Sequence, residues 1–321
     1  MSSELLMIEQ RPGGADAAPW ILDRHGRRMQ GRDDGRRSAE LRGGLLTHAR
    51  VRPADAAVSD ETLEQIVGRL HERDYIQALR RVSFEEPTLL PQWAPPGLPA
   101  DSPVWAGVVT TAFEGVRTAV AAAQLIVAGA RFAYAVCRPP GHHAGPAWMG
   151  GYCYLNTAAA AAQALCDGGV RPVAILDLDF HFPTGTSAVL ARMDDVSLHS
   201  LHASTLENVP WHAVPEREHE RFVDFAEAPD ADTYLRALGE SIETIRRSAA
   251  ALVLSLGYDT VGGDPHGSWS FAPEIFARVG GLLASCGLPV CVVQEGGYAL
   301  DSLAACSHAF ASGLLDAGGA T

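Results

Sequence analysis

The sequence has no C-x-x-C pair, no surplus of basic residues, no internal repeat and no unbroken apolar run of membrane-spanning length. Its six cysteines, at positions 137, 153, 166, 286, 291 and 306, are scattered, which excludes a readable zinc ribbon or dithiol redox motif and makes buried reduced thiols the expectation. A formal charge of −13 argues against a general nucleic-acid binder and favours cationic ligands at long range. The most apolar long stretch, Val120 to Val136, is interrupted by Gln124, Gly129 and Arg131 and is short for a membrane span. The opening "MSSELLMIEQRPGG" has no basic region followed by an apolar one, the pattern of a secretory leader. The expectation is a cytoplasmic protein with neither a membrane nor a nucleic acid as partner.

What is present is enough apolar material for a large core: 47% of the 321 residues are hydrophobic and 20% charged. No long low-complexity linker divides the chain, so a single domain over residues 1–321 is expected, with "RHGRRMQGRDDGRR" and "EEPTLLPQWAPPGLPADSP" as long surface loops. Beyond about residue 130 the pattern becomes regular. "RFAYAVC", "RPVAILDLD", "DVSLHSLH", "ALVLSLG" and "PVCVVQ" read as strands. "NTAAAAAQALCDGG", "DADTYLRALGESIETIRRSAA", the stretch around "PEIFARVGGLLASCG" and a segment from Leu300 read as helices. Alternation of this kind predicts an α/β fold with a mainly parallel central sheet between helical layers.

In such sheets the ligand site lies beyond the carboxyl ends of the strands. Four strands are followed by "RPPGHHAG", "DLDFHF", "GYDTVGGDP" and "EGGYAL", which together deliver two adjacent histidines, Asp-x-Asp-x-His, a lone aspartate and a tyrosine. Asp179 and His181 are two apart, so on an extended strand they point the same way. One oxygen and one imidazole nitrogen suit zinc, which in catalytic sites takes three protein ligands, and Asp259 from another strand end is the natural third. The competing reading makes Asp177 and Asp179 turn-capping residues and His181 a satisfied core histidine. His142 and His143 can take a proton from water and return one to a leaving amine. Tyr298, between glycines and a helix, can turn its hydroxyl to a developing oxyanion.

"RPPGHHAGPAWMGGYCYLNTAAAAAQ", "ILDLDFH", "GYDTVGGDP" and "QEGGYAL" resemble the signature blocks of the histone deacetylase and acetylpolyamine amidohydrolase superfamily, and "LHERDYIQAL" is similar to the block that precedes them. The resemblance runs from about residue 70 to the C-terminus and leaves the first 50 residues as a divergent part of the same domain. It implies an arginase-like three-layer fold and hydrolysis of an N-acyl amide at one zinc ion, or another divalent metal, held by Asp179, His181 and Asp259. His142 and His143 would transfer protons and Tyr298 would polarise the acyl carbonyl. Asp101, Gly151 and Tyr152 match substrate-binding positions, and His266 stands where the family usually has an aliphatic tunnel residue. Asp177, Ser197 and Leu198 match a structural site for a monovalent cation such as K+, with Asp177 also orienting His142. A two-metal relative of the same fold would need carboxylates at Pro183 and Gly257, which favours one metal.

The chain departs from the family pattern at "DFHFPTGT". Phe182 replaces a second histidine, Pro183 a glycine, and Thr184 the Asn or Asp that would fix His143. Thr157 replaces a second asparagine, and Trp211 stands as a substitute for a tunnel aromatic whose loop is absent. The expected function is removal of an acyl group, most simply acetyl, from an acetylpolyamine, acyl-lysine or small metabolite, with a homo-oligomer compatible with this. The alternative is a metal-containing protein that binds acylated ligands with little or no turnover.

Overall fold

A computed structural model describes residues 4–11 and 18–317. The outermost ends of the expected 1–321 domain lie outside the described residues. Ten strands are described: β1 (Leu5–Glu9), β2 (Trp20–Leu22), β3 (Arg28–Gln30), β4 (Val51–Pro53), β5 (Phe132–Val136), β6 (Val173–Asp177), β7 (Val196–Ala203), β8 (Glu220–Phe225), β9 (Ala251–Leu256) and β10 (Val290–Gln294). The helices are α1 (Gly35–Leu46), α2 (Asp60–Leu70), α3 (Arg73–Arg80), α4 (Ala106–Val127), α5 (Thr157–Asp167), α6 (Thr184–Leu190), α7 (Ala231–Ser248), α8 (Ile275–Ser285) and α9 (Leu300–Asp316).

Eight strands form one sheet in the order β4-β1-β5-β10-β9-β6-β7-β8, and every pairing in it is parallel. Strands β5, β6, β9 and β10 are buried at every residue, as continuous apolar runs in a sheet covered on both faces must be. Their side chains alternate between two cores. Val173, Ile175 and Val253 join the core that contains α2, α4 and α5. Ala174, Leu176, Leu252 and Leu254 join the one that contains α1, α7, α8 and α9. The three-layer α/β expectation holds. Helix α5 starts where the Asn156 side chain accepts from Ala159 N, and its buried alanines, 158 to 162, let it lie close against the sheet and α4.

The apolar stretch 120–136 is split between the end of α4 and β5, and among the described residues no helix is long and apolar enough to cross a membrane. All six cysteines are buried and free, as expected. One expectation needs correction in part: "RHGRRMQGRDDGRR" is exposed over residues 24–30, but it is not all loop and not all surface. It contains β3 of the β2–β3 hairpin and the start of α1, and Asp33 and Arg37 are each only 1% exposed. Burial is tolerable because the charges pair. Arg37 lies 2.5 Å from Asp33, and Arg138 also reaches that carboxylate at 3.2 Å.

Candidate active site

The carboxyl ends of β5, β6, β9 and β10 converge on one cleft of about 380 Å3, bordered by His142, His143, Asp179, His181, Asp259 and Tyr298. The β2–β3 hairpin supplies part of its rim through Ile21, Leu22 and Met29, and Trp211 stands on the same wall as Asn208 and Val209.

Asp179, His181 and Asp259 bring one potential ligand atom each to within 4.8 Å of one another. His181 Nδ1 lies 3.2 Å from Asp179 Oδ1 and 3.3 Å from Asp259 Oδ2. Asp259 Oδ2 is buried and makes no hydrogen bond, although its other oxygen accepts from Phe180 N at 2.9 Å. Burial and the neighbouring Asp179 charge push the Asp259 carboxyl up to about 8, a cost that a cation between the two would remove. Two glycines leave room for these carboxylates. A Cβ on Gly257 would come within 2.4 Å of Asp179 Oδ2, and one on Gly296 within 2.5 Å of the same atom and 2.7 Å of Asp259 Oδ2. An orphaned buried oxygen, a mixed oxygen and nitrogen donor set and a glycine-cleared space fit a divalent metal.

Beside this trio the two histidines of the loop after β5 are held differently. His142 Nδ1 is 3.3 Å from Asp177 Oδ2, and its Nε2 is 3.6 Å from Asp179 Oδ1. Burial disfavours its imidazolium, but Asp179 and Asp177 outweigh burial and raise its pKa to about 10. His143 Nδ1 meets the uncharged Thr184 Oγ1 at 3.1 Å. Burial, then the charges of His142 and His181, push His143 well below the ordinary histidine value. Two imidazoles with ring centres 4.0 Å apart therefore have opposite protonation preferences, the separation that an acid and a base at one centre require.

Tyr298 is 8% exposed, with the Arg37 guanidinium 4.5 Å from its ring centre, and its backbone N–H donates to Asp264. Gly151 and Tyr152 both have positive φ, at 56° and 67°. Glycine is required at 151 because a Cβ there would come within 2.4 Å of His143 Cδ2. Both oxygens of Asp101 accept from Gly151 N at 3.1 Å, so this carboxylate fixes the wall of the cleft as well as bordering it. His266 also lies on that wall, 3.1 Å from the Tyr152 hydroxyl.

Two of the expected residues are elsewhere. The strand "VSLHSLHA" contains the tripeptide Ser-Leu-His twice, and the register of β6 on β7 pairs Asp177 with Ser200, while Ser197 pairs with Ala174. Ser197 borders a separate cleft of about 430 Å3 near the opposite ends of the strands, and Leu198 packs into the core against Val173 and Ile175. A shift of three residues along a strand is about 10 Å, which removes both from the neighbourhood of Asp177.

Phe182 packs edge-on against His202 and Phe222, each with ring centres 4.9 Å away, so it fills a hydrophobic gap behind the site. Two residues that support the site, Glu295 and Arg37, were missed from sequence. Glu295 is buried, accepts from Gly141 N at 2.7 Å and His142 N at 3.1 Å, and takes the Ser255 hydroxyl on its other oxygen. Its signal was a carboxylate ending the apolar "PVCVVQ". Arg37, which donates to the Glu295 and Gly297 carbonyls, gave no local signal in an exposed-looking basic run.

Acetylpolyamine amidohydrolase 1 of Pseudomonas aeruginosa is 37% identical over 212 residues, 63% of this chain and 61% of that protein. Acetylpolyamine amidohydrolase of Mycoplana ramosa is 35% identical over 223 residues, 64% and 62% of the two chains. The match thus spans about three-fifths of the length of these curated relatives. The fold superposes on the crystal structure of acetylpolyamine aminohydrolase from Burkholderia pseudomallei with a TM-score of 0.83 and 26% identity, covering 96% of this chain and 98% of the other. The family model described as histone deacetylase domain matches residues 37–314, and with that match the chain belongs to the histone deacetylase domain family.

Proposed function

We propose that the chain is a zinc-dependent amidohydrolase that removes an acetyl group from a small N-acylated amine. The observation that carries this reading is the buried, unbonded Asp259 Oδ2 facing Asp179 and His181 in the same cleft as a histidine pair and a tyrosine. Asp179, His181 and Asp259 would hold the metal. Bound there, it supplies Lewis-acid polarisation of the acyl carbonyl and makes water a competent nucleophile at neutral pH. His143, kept neutral by burial and nearby positive charge, takes the proton of the attacking water and delivers it to the amine nitrogen as the C–N bond breaks. His142, oriented by Asp177, places positive charge beside that transfer. The Tyr298 hydroxyl, which has no hydrogen-bond partner among the described residues, donates to the acyl oxygen as negative charge develops there. A monovalent cation at Asp177 would find Ser200 beside it rather than Ser197.

The alternative of a binding protein with little turnover is motivated by the altered segment 182–184. Thr184 still reaches His143 Nδ1, so orientation is kept and only the charge is lost, which favours the enzyme. The test is metal analysis of the purified protein together with acetate release from acetylated diamines, acetyl-lysine peptides and small acylamino compounds. Expected are one zinc per chain and turnover of a small amine, both abolished in Asp259→Ala. Full zinc content with no acetate from any substrate refutes the enzymatic reading.

A further inference from the structure

The second cleft, of about 430 Å3, lies between the β7–β8 edge of the sheet and the last turns of α7. Ser197 and His199 are two apart on β7 and share a face, and the parallel register sets Arg221 of β8 beside His199 on that face. All three border the cleft, and α7 contributes Thr244 and Ser248. His199 is 5% exposed, yet its ring nitrogens make no hydrogen bond among the described residues. Neither nitrogen is among the buried orphaned atoms, so both keep contact with water, and for a ring this enclosed the open side is the cleft it borders. The protein thus buries an imidazole and leaves its polar atoms to a partner from outside.

The groups around His199 are donors in need of an acceptor. The Ser197 hydroxyl has no partner among the described residues, and the Arg221 guanidinium donates only to the Glu220 carbonyl and forms no ion pair there. Thr244 and Ser248 already donate to carbonyls of their own helix, so the free donors are those of the sheet. Burial, then the Arg221 charge, hold the His199 pKa down to about 4 against the opposing Glu216, which makes the floor of the cleft electropositive. Of the carboxylates on the wall, Asp195 pairs with Arg171 at 3.2 Å, and Glu218 is exposed on the rim beside His219. Among the described residues no three metal-ligating atoms converge there, so a cation finds no ready site.

We infer that this cleft is a second ligand site that takes a small organic anion, its carboxylate or phosphate group held by the Arg221 guanidinium, the His199 ring N–H and the Ser197 hydroxyl. The cleft is large enough for the body of the molecule as well as its oxyanion. The inference does not depend on the amidohydrolase reading, because none of these three residues borders the catalytic cleft.

The test is NMR of the protein labelled at the histidine ring carbons, titrated in separate arms with glycerol 3-phosphate, with glutarate and with uncharged glycerol. The His199 signal, identified by its loss in His199→Gln, is expected to shift and saturate with a dissociation constant of about 1 mM or below for at least one anion. The arm that saturates tells a phosphate ester from a carboxylate, and an anion at the catalytic centre moves the signals of His142, His143 and His181 instead. Arg221→Gln, at an exposed position, should weaken binding roughly tenfold, as loss of one charged hydrogen bond does. No saturating shift of His199 with either anion, an equal response to glycerol, or unchanged affinity in Arg221→Gln overturns the assignment. Crystals grown with the same two anions decide without any variant: density bridging His199 and Arg221 upholds the site, and an empty cleft overturns it.

Discussion

Lowering the pH should weaken the fold through His71 by an amount that can be calculated. This histidine is 1% exposed and links the end of α2 to the loop that carries His142 and His143. Its Nδ1 lies 2.8 Å from the Gly145 carbonyl, which can only accept, and its Nε2 lies 3.1 Å from Asn156 N–H, which can only donate. Both contacts are satisfied by the neutral ring alone. Burial, offset in part by the Gly145 bond and reinforced by Arg192, puts its pKa at about 4 against an ordinary 6.5. The unfolded chain therefore binds the proton first as pH falls, so the contribution is fully present above pH 6.5 and is lost as pH drops toward 4. At about 1.4 kcal/mol per pH unit, the loss is about 2 kcal/mol by pH 5 and about 3 kcal/mol over the whole window. The assay is urea unfolding at pH 7.5 and pH 5 for the wild-type protein and His71→Gln, whose amide can donate and accept but does not titrate. The variant should lose about 2 kcal/mol less between the two pH values. Parallel losses in the two proteins would refute the reasoning, whatever their absolute stabilities.

Two further outcomes follow from the site's geometry. Gly296→Ala should lower zinc affinity at least about tenfold in competition with a chromogenic chelator, because the new Cβ occupies the space between the two carboxylates. Thr184→Val removes the one polar contact to His143 Nδ1 among the described residues and should lower kcat roughly ten- to a hundredfold while zinc content by mass spectrometry stays at the wild-type level.

The parts of the site that were readable in the sequence are those set by local geometry. Asp179 and His181 share a face because a strand has a period of two, and burial of whole apolar runs announced a sheet covered on both sides. The ends of those strands named the histidine pair, Asp259 and Tyr298 because parallel strands deliver their carboxyl ends to one edge. Phe182 looked anomalous only because its partners, His202 and Phe222, come from β7 and β8.

What the sequence by itself determined, then, was the fold class, the family and the residues that converge at the strand ends. Only the folded chain decides which Ser-Leu-His of β7 stands beside Asp177 and that Arg37 and Asp33 are interior. The first depends on register between strands, and the second on a helix some 260 residues away from the carbonyls it serves. A local pattern specifies which face a side chain takes, but its partner across the sheet or cleft is chosen by packing that only the folded chain provides.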